Sequence, residues 1–171
     1  SMAATVASGY FIGRIVHIVA GCGWTGIVSG LLFISFPFVF GWGLLFRVDL
    51  LALCLSLAGL SVAARSLSPR RVFLTALLLV AAVYTKQSYG FVAPVTAAVW
   101  IWIRDRSAGY AFLAWFCGLG LALLALLMGA SGGGFIYHIV VANANPIEWS
   151  RVLTNLRQLA GNSVPLLAVV I

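Results

Sequence analysis

Two long apolar runs joined by an arginine-rich turn fill residues 46–90, and this pattern limits the possible folds more than any other feature. As an α-helix, residues 48–67 would extend about 30 Å, and residues 69–87 slightly less, at about 1.5 Å per residue. Both lengths match the hydrocarbon layer of a bilayer, which is about 30 Å thick. The sequence therefore predicts a transmembrane hairpin.

The turn of this hairpin is well marked. Ser68 is expected to cap the second helix, and Pro69 suits its first position. Arg65, Arg70 and Arg71 lie in the same short loop. By the positive-inside rule, this loop faces the cytoplasm.

The far ends of the two runs carry polar clusters: Arg47 and Asp49 precede the first run, and Lys86 and Gln87 follow the second. A chain that crosses a membrane and returns brings both clusters to one face. One interpretation is an outward-facing cleft in which the cations hold a phosphate and Asp49 positions a hydroxyl. The other is an interfacial ion pair that orients the hairpin.

Composition excludes an ordinary soluble domain. Hydrophobic residues make up 63% of the chain and charged residues 8%, with a mean hydropathy of +1.13. The continuous apolar runs favour helices over the alternating strands of a membrane barrel. We therefore predict an all-α, polytopic membrane bundle with about five to six spans. The net charge of +7 is spread over helix ends and loops. This distribution indicates that the basic residues orient the helices in the membrane and contact lipid headgroups, and it does not indicate binding of nucleic acid.

Other predicted spans flank the hairpin. They cover residues 9–21, 24–46, 90–103 and 110–130. Pro37 permits a kink or an early end in the second of these, and Gly26 with Gly30 forms a GxxxG motif for close helix packing. Because the chain stops within the apolar stretch VPLLAVVI, we expect residues 1–171 to be part of a single membrane domain that is truncated at both ends.

The segment 131–163 is predicted to be extracytoplasmic and to contain an amphipathic helix, with Asn145 as its cap and Gly161 as its stop. A lid or strut at the interface is one interpretation, and contact of Arg151 or Arg157 with an anionic lipid or a substrate is the other. His138 is expected on the same side, where it is available to bind a substrate.

Arg14 and His17 lie one helical turn apart in an apolar helix. Arg14 is interpreted either as an arginine that snorkels to the headgroups or as a substrate contact in a pocket wall. The three cysteines are isolated along the chain, which favours packing roles over a zinc site or a disulfide framework: Cys22, Cys54 and Cys117. No cofactor is identified, and dependence on a divalent metal stays open.

Acid-base chemistry has few candidates, because the chain has three acidic residues. Asp105 belongs to an Arg-Asp-Arg turn and is expected to be structural. Glu148 is explained as an acid at a helix N-terminus. Asp49 is therefore the remaining candidate for chemistry.

A set of short motifs resembles the membrane core of C-type glycosyltransferases that use dolichyl or polyprenyl phosphate sugars, in particular the bacterial mannosyltransferase-like branch. The motifs are Pro37, then WGLLFRVDLLAL, the basic turn SPRR, and YTKQS followed by GFVAP, while Gly13 and Arg14 resemble the start of a family membrane helix. The resemblance covers roughly residues 9–100. The chain is shorter than the family pattern between Arg14 and Trp24.

The resemblance implies an inverting membrane enzyme that passes a sugar from a lipid phosphate carrier to an acceptor outside the cytoplasm. It implies that Arg47, Lys86 and Gln87 meet the donor phosphate and that Asp49 is a secondary acidic position. The principal catalytic acid of the family lies on a loop upstream of the matched part, so we expect this chain alone to be inactive. The implied location is the plasma (inner) membrane, with the site on the extracytoplasmic side.

Two other classes of function stay open at this point. A transporter or lipid-translocating subunit would use the same cations at helix ends, and a non-catalytic assembly protein would need no site. Transporters typically carry polar groups within their spans and broken helices. Residues 50–60 and 73–83 have little polarity, which favours the transferase.

Overall fold

The computed structural model describes residues 2–43, 48–137 and 149–167 of the chain. Within these ranges the regular elements are all helices, which confirms the predicted all-α class. The helices are α1 (Met2–Ala20), α2 (Gly23–Ser35), α3 (Pro37–Gly43), α4 (Val48–Arg65), α5 (Pro69–Thr85), α6 (Val92–Arg104), α7 (Arg106–Ala130), α8 (Gly134–Ile136) and α9 (Trp149–Leu167). A 3₁₀ turn, Gln87–Gly90, connects α5 to α6. The chain divides into two compact units, residues 1–130 and 131–171.

Three of the described helices, α1, α4 and α7, are long and apolar enough to cross a membrane. Helix α2 is apolar but has only 13 residues. Many large apolar side chains on these helices are exposed, such as Trp24, Leu121 and Leu126, each with at least 66% of its surface accessible. An apolar exterior of this kind is typical of a protein whose surroundings are lipid.

Helices α1 and α2 form an antiparallel pair whose backbones touch. A Cβ atom built on Gly13 would lie 2.6 Å from the carbonyl oxygen of Gly26, and one built on Gly30 would lie 2.6 Å from that of Gly9. Two GxxxG motifs therefore face each other, one on each helix. Gly26 and Gly30 were predicted to pack closely, whereas the Gly9–Gly13 motif was missed.

Helices α4 and α5 form the predicted hairpin. Midway along the two helices, the hydroxyl of Thr75 donates a hydrogen bond to the Gly59 carbonyl, at 3.5 Å. At the turn, the guanidinium group of Arg71 donates a hydrogen bond to the Ser66 hydroxyl. Pro69 occupies the start of α5 as expected, but the Ser68 side chain makes no capping hydrogen bond. The turn is therefore held by the Ser68 carbonyl, which accepts hydrogen bonds from two backbone amides of α5.

A single residue, Asp105, connects α6 to α7. Its carboxylate accepts hydrogen bonds from the backbone amides of Ser107, at 2.8 Å, and Ala108, at 3.2 Å, and so caps α7. The neighbouring Arg104 donates to the backbone carbonyls of Ala64 and Arg65, at 3.1 and 3.3 Å, and so caps α4. The expected structural role of Asp105 is confirmed.

Five arginines lie at one end of the unit formed by residues 1–130. We call this the arginine end and define it by Arg65, Arg70, Arg71, Arg104 and Arg106. The opposite end of the α4–α5 hairpin begins at Val48 and finishes at Thr85. We call it the ion-pair end, after the contact between Asp49 and Lys86 described below.

The core of this unit lies among α4, α5, α6 and α7. It is built largely from small side chains, which let the helices approach closely. Its buried members are Ala63, Val72, Ala76, Leu79, Ala93, Ala97, Ile101, Ala108 and Phe112. Phe112 is the largest fully buried side chain, and it stacks on Phe116 with ring centroids 5.8 Å apart. The core therefore depends on a few large groups set among alanines.

Two boundaries differ from the sequence predictions. The span expected over residues 24–46 is interrupted, since α2 ends at Ser35 and α3 begins at Pro37. Pro37 disfavours a helical conformation at Phe36, so the kink or early end predicted for Pro37 is confirmed. In the second unit, Gly161 was expected to end the amphipathic helix, but α9 runs on to Leu167. The expectation at Gly161 was wrong because glycine only weakens a helix by about 1 kcal/mol and does not by itself end one.

Candidate functional site

The structure joins two of the residues that the sequence analysis singled out. The ammonium group of Lys86 forms a salt bridge with a carboxylate oxygen of Asp49. Asp49 lies in the first turn of α4, and Lys86 directly follows α5. The predicted approach of these two positions is confirmed, and it results from the antiparallel hairpin.

The ion pair is partly shielded from solvent. The exposed fraction of the side chain is 19% for Asp49 and 37% for Lys86, and the following residue, Gln87, is exposed. Because the Lys86 ammonium group is more accessible than the Asp49 carboxylate, it can also bind a second anion. The arrangement supplies a cation, a carboxylate and an exposed amide within one short polar corner.

Tyr89 is a further member of this corner that the sequence analysis missed. Its backbone amide donates to the Lys86 carbonyl at 3.1 Å, within the 3₁₀ turn. Burial, and secondarily the negative charge of Asp49, raises the pKa of the Tyr89 hydroxyl above its ordinary value. The phenol is therefore neutral at physiological pH and can donate a hydrogen bond. Its position three residues after Lys86 was the available sequence signal.

Other predicted site residues lie elsewhere. Arg47 and His138 fall outside the residues that the structure describes. Arg151 lies on α9, in the unit formed by residues 131–171, where it is exposed. Arg14 lies in α1 and lines a furrow together with Arg65 of the arginine end. The structure therefore does not bring Arg14 to Asp49 and Lys86.

The furrow follows the seam between α1 and α2 and has a volume of about 600 Å3. Glycines line much of it, and its polar side chains are Tyr10, Arg14, His17 and Arg65. A second cavity of about 130 Å3 has an almost entirely apolar lining that includes Ile15 and Trp100. Neither of these two cavities is lined by Asp49 or Lys86.

The cysteines and acids of the described residues provide no metal centre. Cys22, Cys54 and Cys117 are free thiols. Within the described ranges, no three metal-binding side chains of His, Cys, Asp or Glu come together.

We expect the Asp49–Lys86 pair to contribute about 1–2 kcal/mol of coupling energy to folding, between the values typical of exposed and of buried pairs. The measurement is a double-mutant cycle with Asp49→Asn, Lys86→Gln and the double variant, using detergent unfolding of the purified chain. A coupling energy below about 0.3 kcal/mol would contradict a stabilising pair. The swap Asp49→Lys with Lys86→Asp should recover most of the lost stability.

Comparison with known proteins gives no assignment: no family model matches the chain, and no match is found among curated proteins or among solved structures. The functional argument therefore depends on the chain's own residues.

Proposed function

We propose that the chain is a part of the membrane core of a glycosyltransferase that takes a sugar from a polyprenyl phosphate carrier. The observation that supports it is the Asp49–Lys86 salt bridge, because it joins the RVDL and TKQS motifs that carry the family resemblance. Residues 1–171 would then form about five to six spans, with the site on the extracytoplasmic side of the plasma (inner) membrane and an external amphipathic helix at residues 149–167.

The charge distribution favours this orientation. The arginine end would face the cytoplasm by the positive-inside rule, and the ion-pair end would lie at the opposite headgroup level. A polyprenyl phosphate keeps its tail in hydrocarbon and its phosphate at the interface. Lys86 is placed at the end of its helix, where it would meet such a phosphate.

The proposed chemistry uses the ion pair as an exchangeable contact. When the donor binds, Lys86 shifts from Asp49 to the lipid phosphate, with Gln87 and, by the resemblance, Arg47 beside it. The acceptor hydroxyl attacks the anomeric carbon, the bond from that carbon to the phosphate oxygen breaks, and the hydroxyl proton passes to a carboxylate base. Lys86 stabilises the negative charge that develops on the departing polyprenyl phosphate.

The test is sugar transfer from a polyprenyl phosphate donor by the full-length protein in isolated membranes. Lys86→Gln is expected to reduce transfer by about 100-fold or more, because it removes a cation that faces the leaving phosphate. The charge swap Asp49→Lys with Lys86→Asp should keep the protein folded yet leave it inactive, and Arg70→Gln should retain full activity. Full transfer by Lys86→Gln or by the swap variant would refute the proposed site.

A second candidate, a transporter or lipid-translocating subunit, is favoured by one observation. The break between α2 and α3 at Phe36 produces a discontinuous helix, a feature that transporters use at substrate sites. The two candidates differ in their product. Lipid movement in proteoliposomes without any sugar transfer by the full-length protein would favour the transporter.

A further inference from the structure

The furrow between α1 and α2 combines a long groove with a charged end. It exists because the two helices touch through glycines, so few side chains fill the seam between them; the side chain of Ile34 lies against Gly9. Apolar residues form its walls, and several of them are exposed on the outer surface, including Val6, Ile27 and Leu31. The furrow therefore opens toward the surroundings of the bundle.

Two arginines, Arg14 and Arg65, supply the positive charges of the furrow. The Nε atom of Arg14 is buried and has no hydrogen-bond partner. Arg65 and His17 line the same furrow. A buried guanidinium nitrogen without an acceptor is costly, so a ligand in the furrow that draws the Arg14 guanidinium toward an acceptor is favoured.

No described acid is available to neutralise these cations. Asp49 pairs with Lys86, and Asp105 caps the N-terminus of α7. The furrow residues themselves include no carboxylate. Charge complementarity therefore requires an anion from outside the described part of the chain.

The position of Arg14 along α1 allows its guanidinium group to reach the level of the lipid headgroups. It lies six residues before the last residue of α1, or about 9 Å along the helix axis. A long arginine side chain can lie along apolar surface while its guanidinium reaches toward the headgroup level. Arg65, the last residue of α4, marks that level at the arginine end.

We propose that this furrow binds an anionic phospholipid, with its phosphate between Arg14 and Arg65 and one acyl chain along the glycine seam. The surrounding bilayer supplies such a ligand, whose polar and apolar parts match the two parts of the furrow. This site is separate from the sugar-transfer site, because it lies at the arginine end and uses none of the residues of the Asp49–Lys86 corner.

The experiment measures phospholipid retained by the purified chain after detergent washing, by native mass spectrometry. Phosphatidylglycerol and phosphatidylcholine with identical acyl chains are supplied in equal amounts. The chain is expected to retain phosphatidylglycerol selectively, and Arg14→Gln should reduce this retention by about tenfold, since a charge-assisted contact is lost. Arg14→Lys should keep an intermediate level, because the charge remains and the planar donor pair is lost.

Arg106→Gln is the matched control, since it removes an exposed arginine from the same end of the unit, outside the furrow. It should retain phosphatidylglycerol at the level of the unaltered chain. Folding of each variant is checked by its helical circular dichroism, and Arg65→Gln replaces Arg14→Gln if the latter does not fold. Equal retention of the two lipids, or equal losses in the furrow variant and in Arg106→Gln, would overturn the proposal. Neither result would bear on sugar transfer.

Discussion

Truncation of Phe112 to alanine is expected to lower the free energy of unfolding by about 3–5 kcal/mol, through the lost packing and the cavity that remains. Phe112 has 1% of its surface exposed and belongs to a cluster with residues of α4, α5 and α6. Its alanine neighbours have short side chains that cannot extend into the vacated space. The measurement is detergent-induced unfolding of the purified chain.

Leu121→Ala is the matched control for this prediction, because Leu121 lies on the same helix with 66% of its surface exposed. Its truncation should change the free energy of unfolding by less than about 0.5 kcal/mol. Equal effects of the two substitutions would show that α7 does not pack through Phe112.

Substitution of Gly26 by alanine is the second large expected effect, with a loss of about 1–3 kcal/mol in the free energy of unfolding. The added Cβ would lie 2.5 Å from the carbonyl oxygen of Gly13 and 3.1 Å from the Cβ of His17. The nearer of these atoms belongs to backbone, so relief requires α1 and α2 to separate. The same unfolding assay measures the loss.

Gly118→Ala provides the control for Gly26→Ala. A Cβ at Gly118 would meet nothing within 4 Å, and alanine has the higher helix propensity. The control should therefore leave stability unchanged or raise it by up to about 1 kcal/mol. A Gly26→Ala variant as stable as Gly118→Ala would mean that the backbones of α1 and α2 are not in contact.

The Asp49–Lys86 contact was predictable because it follows from two properties of the sequence alone. The apolar runs have nearly equal lengths, and the turn at Ser68 and Pro69 reverses the chain between them. Any antiparallel hairpin with this turn brings its two far ends together. The involvement of Tyr89 had one sequence signal, its position three residues after Lys86, but its place in the corner depends on the 3₁₀ turn that follows α5.

The contact between α1 and α2 was only half predicted. The motif Gly26–Gly30 has the spacing for close packing, but the spacing on one helix does not say which other helix it meets. The position of Arg14 in the bundle was likewise not predicted by the sequence. The sequence left open whether Arg14 snorkels to the headgroups or lines a pocket, whereas the pairing of α1 with α2 and α4 places it in a furrow with Arg65.

The difference in length between the helices has a consequence for the bilayer in the proposed membrane placement. Helix α2 has 13 residues and α7 has 25, which correspond to about 20 Å and 37 Å. Both are largely exposed, so lipid beside α2 meets a helix shorter than its own thickness, whereas the apolar part of α7, residues 110–130, is about 30 Å long and matches that thickness. We therefore infer that the membrane thins beside α2, so that hydrophobic mismatch would make the chain sensitive to acyl-chain length.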